Sequence, residues 1–245
     1  MMLVRLAVAL CAVAIVCVGS PTVSAVPDDR LVVGGGAGVA MLHGVPVQVA
    51  YWAHLCTLAA VGYDADDNLV GITNAHCSYD THGNQWLGDE VVHAAHLNEP
   101  EPGGVNVEVI GTVAYISGGN PVVPGPNGVG LDYAVIVFDK SMVIPTATIG
   151  DTTIRRIAEP PPPGTVLCKQ GVTTGRTCGV MIGTIGPYIL NTVTEFTGDS
   201  GAPIVVDDAV VGIQWVTGAA SSMTAIMADL DSRGGVGSGF RLVTS

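Results

Sequence analysis

Gly130-Leu131-Asp132-Tyr133-Ala134-Val135-Ile136-Val137-Phe138 is a run of β-branched, aliphatic and aromatic residues with an acid at its mouth. Such side chains fit a pleated, half-buried surface, so the run from Tyr133 to Phe138 reads as a strand. The turn signals before it, Gly118-Gly119-Asn120-Pro121 and Gly125-Pro126-Asn127-Gly128, separate it from a second run of the same kind, Val107–Ile116. Outward from this pair the pattern repeats. Val45–Tyr51, Leu69–Ile72, Val166–Leu167, Gly179–Ile185, Ala202–Val206 and Ala209–Trp215 are short β-like segments, with further turn signals at Asp66-Asp67-Asn68 and His82-Gly83-Asn84. No 3.6-residue amphipathic stretch stands out before Ser221–Leu230, a weak helix candidate. The spacing predicts an all-β protein of antiparallel barrels or sandwiches.

Composition agrees. The 245 residues are 48% apolar but only 12% charged and 5% aromatic, with 33 glycines and 15 prolines. An ordinary soluble domain carries about 25% charged residues. So little charge argues against helical bundles and coiled coils, and this much Val, Ile, Leu and Ala argues against disorder. Nine basic residues face 21 acidic ones, a net charge of −12. Such a surface repels phosphate backbones and anionic lipid, so no nucleic-acid partner is expected, and the charge serves solubility.

Residues 1–25 read as a secretory signal. Arg5 is the lone charge before the apolar run Leu6–Val18, and Val23-Ser24-Ala25 offers small residues for cleavage after Ala25. The apolar run is shorter than the ~18 residues of a spanning helix, so a secreted, extracellular protein with no membrane attachment after signal removal is expected. Cys11 and Cys17 leave with the signal. Cys56, Cys77, Cys168 and Cys178 remain, an even number in an oxidising compartment, which favours disulfides over metal ligation. Four cysteines allow three pairings; proximity in sequence favours Cys56–Cys77 and Cys168–Cys178, each stabilising by about 3 kcal/mol in the loop-entropy account.

Glu159-Pro160-Pro161-Pro162-Pro163-Gly164 is a stiff polyproline piece that cannot join a central strand. It divides the chain into an N-terminal unit, 32–158, and a C-terminal unit, 165–245, joined by the linker 159–164. Each is large enough for one small barrel.

Three segments could carry chemistry. Gly71-Ile72-Thr73-Asn74-Ala75-His76-Cys77 places a histidine beside a cysteine that Cys56 can clamp. Leu131-Asp132-Tyr133-Ala134 puts an acid where an apolar strand begins. Thr197-Gly198-Asp199-Ser200-Gly201-Ala202 sets a serine in a glycine-flanked turn that leads into a strand. Serine attacks well only if its proton can leave. A neutral imidazole can take that proton, and a buried carboxylate on the other ring nitrogen fixes the tautomer. Gly198 and Gly201 let the backbone fold tightly enough to aim two N–H groups at one developing oxyanion.

Together these segments resemble the chymotrypsin/trypsin-like serine proteases, and within them the bacterial streptogrisin and alpha-lytic branch. Thr73-Asn74-Ala75-His76-Cys77, Leu131-Asp132-Tyr133-Ala134 and Gly198-Asp199-Ser200-Gly201 follow the family's order His, Asp, Ser. The segment Cys168–Gly179 resembles the branch's disulfide hairpin. The likeness spans about residue 32 to the C-terminus. It implies two packed antiparallel β-barrels with the active site in the cleft between them. It also implies His76 as general base, Asp132 as orienting acid, Ser200 as nucleophile, and the N–H groups of Gly198 and Ser200 as oxyanion hole. The substrates implied are proteins or peptides, with no cofactor and no metal, acting as a monomer. In the bacterial branch a basic residue after the first hairpin cysteine neutralises the acid before the serine, which implies an Asp199–Lys169 pair. Leu31-Val32-Val33-Gly34-Gly35 resembles the family's mature N-terminus, leaving 26–31 as a short prosegment.

The chain departs from the family in places. Ala202 replaces a second glycine. Thr194 takes the base of the specificity pocket and is not acidic, although Glu195 is next to it, so cleavage after Lys or Arg is not expected. If Gly212-Ile213 aligns with the family's Gly-Ile, Trp215 replaces a small serine beside the acid and Thr217 replaces a pocket-wall glycine, with Val216 between them; a one-residue shift of the alignment removes much of this. The pocket reading is therefore Thr194, Trp215, Val216 and Thr217, suited to small or medium apolar side chains. Two rival readings are a secreted binding module on the same fold whose catalysis has lapsed, and a zinc hydrolase using His93-Ala94-Ala95-His96. The latter pair lacks the intervening glutamate and helical setting of the familiar zinc motif.

Overall fold

A computed structural model of the chain describes residues 28–46, 54–97 and 107–245. The signal at 1–25, its cleavage site and most of the run Val45–Tyr51 lie outside the described residues. In chain order the first half holds β1 (Leu31–Val33), β2 (Gly38–Met41), β3 (His54–Thr57), β4 (Ala60–Tyr63), β5 (Leu69–Thr73), β6 (Glu90–His93), β7 (Val109–Ile116), β8 (Ala134–Phe138) and β9 (Val143–Pro145). After the short pair β10 (Thr148–Ile149) and β11 (Thr152–Thr153) come β12 (Arg156–Ile157), β13 (Val166–Gly171), β14 (Gly175–Ile185), β15 (Tyr188–Asn191), β16 (Pro203–Val206), β17 (Ala209–Val216) and β18 (Ala219–Ser222). The helix α1 (Met223–Arg233) and the strand β19 (Arg241–Leu242) follow.

Two sheets dominate. The first runs β19-β4-β5-β8-β7-β6-β2-β3 and is curled. The second runs β12-β17-β16-β13-β14-β15-β18, and an additional β17–β18 pairing closes six of its strands into a barrel. The alternation that reads as strands in sequence thus yields two antiparallel barrel-like layers. β5, inside the first sheet, is covered on both faces: all five of its residues are buried.

Edge strands cross between the halves. β12, which precedes the proline run, pairs in parallel with β17, and β19, at the far C-terminus, pairs with β4. A shared core follows. Val70, Ile72, Tyr133 and Val135 of the first half pack with Val205, Val210 and Ile213 of the second and with Met223, Ile226 and Leu230 of α1. Each such aliphatic side chain contributes roughly 1.5–3 kcal/mol when fully buried, so the two sheets are joined by a real core.

The helix is longer at its C-terminal end than the sequence pattern suggests. Ser222 caps it by accepting from the Ala225 N–H, and Gly234, at φ 71°, ends it. Among the described residues no helix is long and apolar enough to cross a membrane.

Candidate active site

His76 sits where β5 gives way to a single 3₁₀ turn, Ala75–Ser78. Two bonds fix that turn. Cys77 is joined to Cys56 of β3, and the Thr73 hydroxyl donates to the Thr57 carbonyl at 2.7 Å. The imidazole therefore projects from a clamped corner of the first sheet, with 15% of its side chain exposed.

Asp132 reaches the same corner from the start of β8. It is fully buried and holds φ at 52°, an uncommon backbone for a residue with a side chain. The Asn74 carboxamide donates to its carbonyl at 2.8 Å, and its own N–H donates to the Gly118 carbonyl at 2.9 Å. The carboxylate is then fully engaged. Oδ1 accepts from the His76 backbone N–H at 2.9 Å, while Oδ2 accepts from His76 Nδ1 at 2.8 Å and from Asn120 Nδ2 at 2.6 Å. Burial alone would push the His76 pKa down. The Asp132 charge and hydrogen bond, with the charge of Glu195, outweigh it and hold the imidazole above its ordinary value.

Ser200 stands on a tight turn of the second half. Asp199 N–H donates to the Phe196 carbonyl and Ala202 N–H to the Asp199 carbonyl, both at 2.9 Å. Gly198 and Gly201 hold φ at 100° and 90°, and a Cβ at Gly201 would run into the Thr57 carbonyl and the Thr73 hydroxyl. Thr57 staples this turn to the first sheet: its N–H donates to the Ser200 carbonyl and its hydroxyl to the Gly198 carbonyl, each at 2.8 Å. Thr57 neighbours Cys56, so the serine turn and the histidine corner hang on one stretch of β3. Among the described residues the Ser200 hydroxyl makes no hydrogen bond to the His76 ring, and no backbone carbonyl accepts from the Gly198 or Ser200 N–H.

Below the serine, Asp199 and Lys169 are both fully buried, with Nζ 2.9 Å from Oδ2. Asp199 also accepts from the Thr174 hydroxyl and from the N–H groups of Phe196, Thr173 and Thr174. Burial would raise its pKa, but the Thr174 and Lys169 bonds and the backbone donors win and hold it low. Lys169 is placed by the β13–β14 hairpin, whose opposed residues Cys168 and Cys178 are disulfide-bonded.

Around the candidate pocket, Thr194 is exposed, with its carbonyl accepting from the Thr177 hydroxyl. Glu195 is half-buried and burial raises its pKa; its backbone N–H donates to the Thr217 hydroxyl at 3.0 Å. Trp215 sits in an irregular register between Gln214 and Val216 and lies edge-on to the Tyr188 ring. No hydrogen-bond donor to the Asp132 carboxylate comes from Gly212 to Gly218. Gln214 is buried with its carboxamide spent on the carbonyls of Val193 and Val216. His93 faces the Val32 carbonyl and accepts from the Ala95 N–H, and among the described residues no three His, Cys, Asp or Glu side chains gather at metal-binding spacing.

Sequence reasoning missed Asn120 and left Asn74 without a role. Asn120 lies in a Gly-Gly-Asn-Pro string that reads only as a turn. Its local signal, an asparagine able to cap the two N–H groups that follow it, was legible; its distant target was not.

No protein-family model and no curated protein matches the chain. Solved structures do. The chain is similar to Thermobifida fusca protease A at TM-score 0.54 and 18% identity, with 87% of this chain and 100% of that one covered. It is similar to the Cellulomonas bogoriensis chymotrypsin at 0.53 and 19%, covering 88% and 100%. For the Nocardiopsis protease the figures are 0.54 and 16%, covering 81% and 96%. The shared feature is the fold: the chain adopts the two-barrel architecture of bacterial chymotrypsin-like serine proteases.

Proposed function

We propose that the chain is a secreted serine endopeptidase. The observation that carries this reading is the buried Asp132 carboxylate, which holds His76 by both its backbone N–H and Nδ1 at the junction where Thr57 secures the Ser200 turn. The neutral imidazole takes the Ser200 proton as the hydroxyl oxygen attacks a peptide carbonyl. The N–H groups of Gly198 and Ser200 stabilise the resulting oxyanion. The imidazolium returns the proton to the leaving amine, and water then releases the acyl group by the same route in reverse. The buried Lys169–Asp199 pair fixes the serine turn without any newly cut N-terminus. Val216 and Thr217 narrow the pocket toward small or medium apolar side chains.

Profiling a peptide library with the purified secreted form tests this. The expected result is cleavage after small or medium apolar residues that disappears in Ser200→Ala. Equal turnover by Ser200→Ala, or none by the folded parent, overturns it. Intact mass of the secreted chain distinguishes Val26 from Val32 as its first residue.

A further inference from the structure

We infer that Asn120 is the positioning residue that keeps the Asp132 carboxylate aimed at His76; the inference rests on the protease reading above. Three N–H donors hold this carboxylate. Two belong to His76: the backbone N–H, fixed by the clamped turn, holds Oδ1, while the ring Nδ1 on Oδ2 turns with the imidazole and cannot by itself aim that oxygen. Asn120 is the third, 2.6 Å from the same oxygen that receives the imidazole.

Its orientation is dictated locally. Oδ1 accepts from the N–H groups of Val122 and Val123 at 2.9 and 2.8 Å, so the carboxamide nitrogen has to face Asp132; the reverse would set acceptor against acceptor. The side chain is 1% exposed. It cannot touch substrate and acts only through the acid. Its loop is closed on itself, with Gly119 N–H donating to the Pro124 carbonyl at 3.0 Å, and it is braced from the second sheet by the Tyr188 hydroxyl on the Gly130 carbonyl at 2.8 Å. A Cβ at Gly119 would strike the Val123 carbonyl, so the turn is built to hold this one carboxamide. Neighbouring amides are otherwise occupied: Gln214 on Val193 and Val216, Asn74 on the Asp132 backbone carbonyl.

The test is a double-mutant cycle with a second readout that needs no turnover. Asn120→Ala is expected to lower kcat about tenfold or more while KM stays within about twofold, the pattern of a group that orients a reacting one. In an Asp132→Ala background the same change is expected to cost nothing further, because Asn120 has no other route to the reaction. Asn120→Asp keeps the acceptor for Val122 and Val123 but turns a second carboxylate on the buried Asp132, and the like charges are expected to lower both kcat and the melting temperature at neutral pH. By proton NMR the His76 Nδ1 proton, sheltered in the parent, is expected to broaden through solvent exchange in Asn120→Ala. Equal losses of kcat in both backgrounds, or an unchanged kcat with a persistent Nδ1 signal, overturn the proposal. A parent that shows the sheltered proton but cleaves no peptide fails the protease reading alone, and the NMR comparison still decides the role of Asn120.

Discussion

Asp132 and Asp199 are both fully buried, and the molecule treats the two carboxylates in opposite ways. Asp199 is paired with the Lys169 ammonium and surrounded by four further donors. Its charge faces a cation and a full set of donors, so it is an anchor. Among the described residues no Lys or Arg lies within hydrogen-bond reach of Asp132. Its partners are a carboxamide, a backbone N–H and an imidazole that becomes positive only on taking up a proton. A buried charge left in this condition favours proton uptake by the neighbouring ring, which is the property a general base needs. Neighbourhood separates an acid that holds a turn from one placed to support the proposed reaction.

Neutralising one acid and removing the other's partner should therefore damage different things. The largest effect is expected for Asp132→Asn, which keeps the shape and removes the charge: kcat falls by about 10⁴-fold, as for triads of this type, while the melting temperature stays near the parent's. A loss smaller than tenfold would erase the distinction.

Lys169→Met attacks the other acid. Leaving a buried carboxylate without its cation is expected to cost about 3–5 kcal/mol of stability by urea unfolding; unchanged stability and activity would reject the pairing. The depressed pKa of Asp199 adds a pH signature. Its contribution is fully present above the unfolded aspartate value of about 3.9 and is lost as pH falls through the lower folded value. The acid-side decline of stability in that window is expected to flatten in Lys169→Met.

Gly198→Ala probes the turn between the two acids. With φ at 100° and the Thr173 hydroxyl in the path of a Cβ, the substitution displaces the N–H proposed as an oxyanion donor and is expected to lower kcat about 10²–10³-fold, read by steady-state kinetics. An unchanged kcat would remove Gly198 from the oxyanion hole. The smallest effect belongs to Glu195→Gln. Glu195 helps hold the His76 pKa up, so without its charge the imidazole loses its proton at lower pH, and the acid limb of kcat/KM is expected to move down. A limb that stays in place, or moves up, would place Glu195 out of range.

The contrast also explains what could be read from sequence. Gly198 and Gly201 announce the serine turn because only glycine takes those backbone angles comfortably, and the apolar strand after Asp132 makes that acid conspicuous. Strand pairing at the edges was hidden. β12 has two residues and follows Arg155, and β19 pairs with β4 across 178 to 180 positions of sequence; neither carries a local period. The helix was faint because its apolar positions, Met223, Ile226 and Leu230, stand among Ala, Thr, Ser and Asp. Gln214 and Asn120 were invisible as a pair: the first occupies a strand position beside the site yet turns its amide to backbone, and the second supplies the acid's remaining donor from a loop. Hydrogen bonds between distant turns leave no trace in periodicity.

The central claim is that His76 and Asp132 make the Ser200 hydroxyl a nucleophile. Treating the folded, disulfide-intact protein with a fluorophosphonate and mapping the modified peptide tests it directly. The account predicts one phosphonyl group per chain, on Ser200, absent in Ser200→Ala and formed far more slowly in His76→Ala. Intact folded protein that takes up no reagent, or is labelled equally after Ser200→Ala, would contradict it.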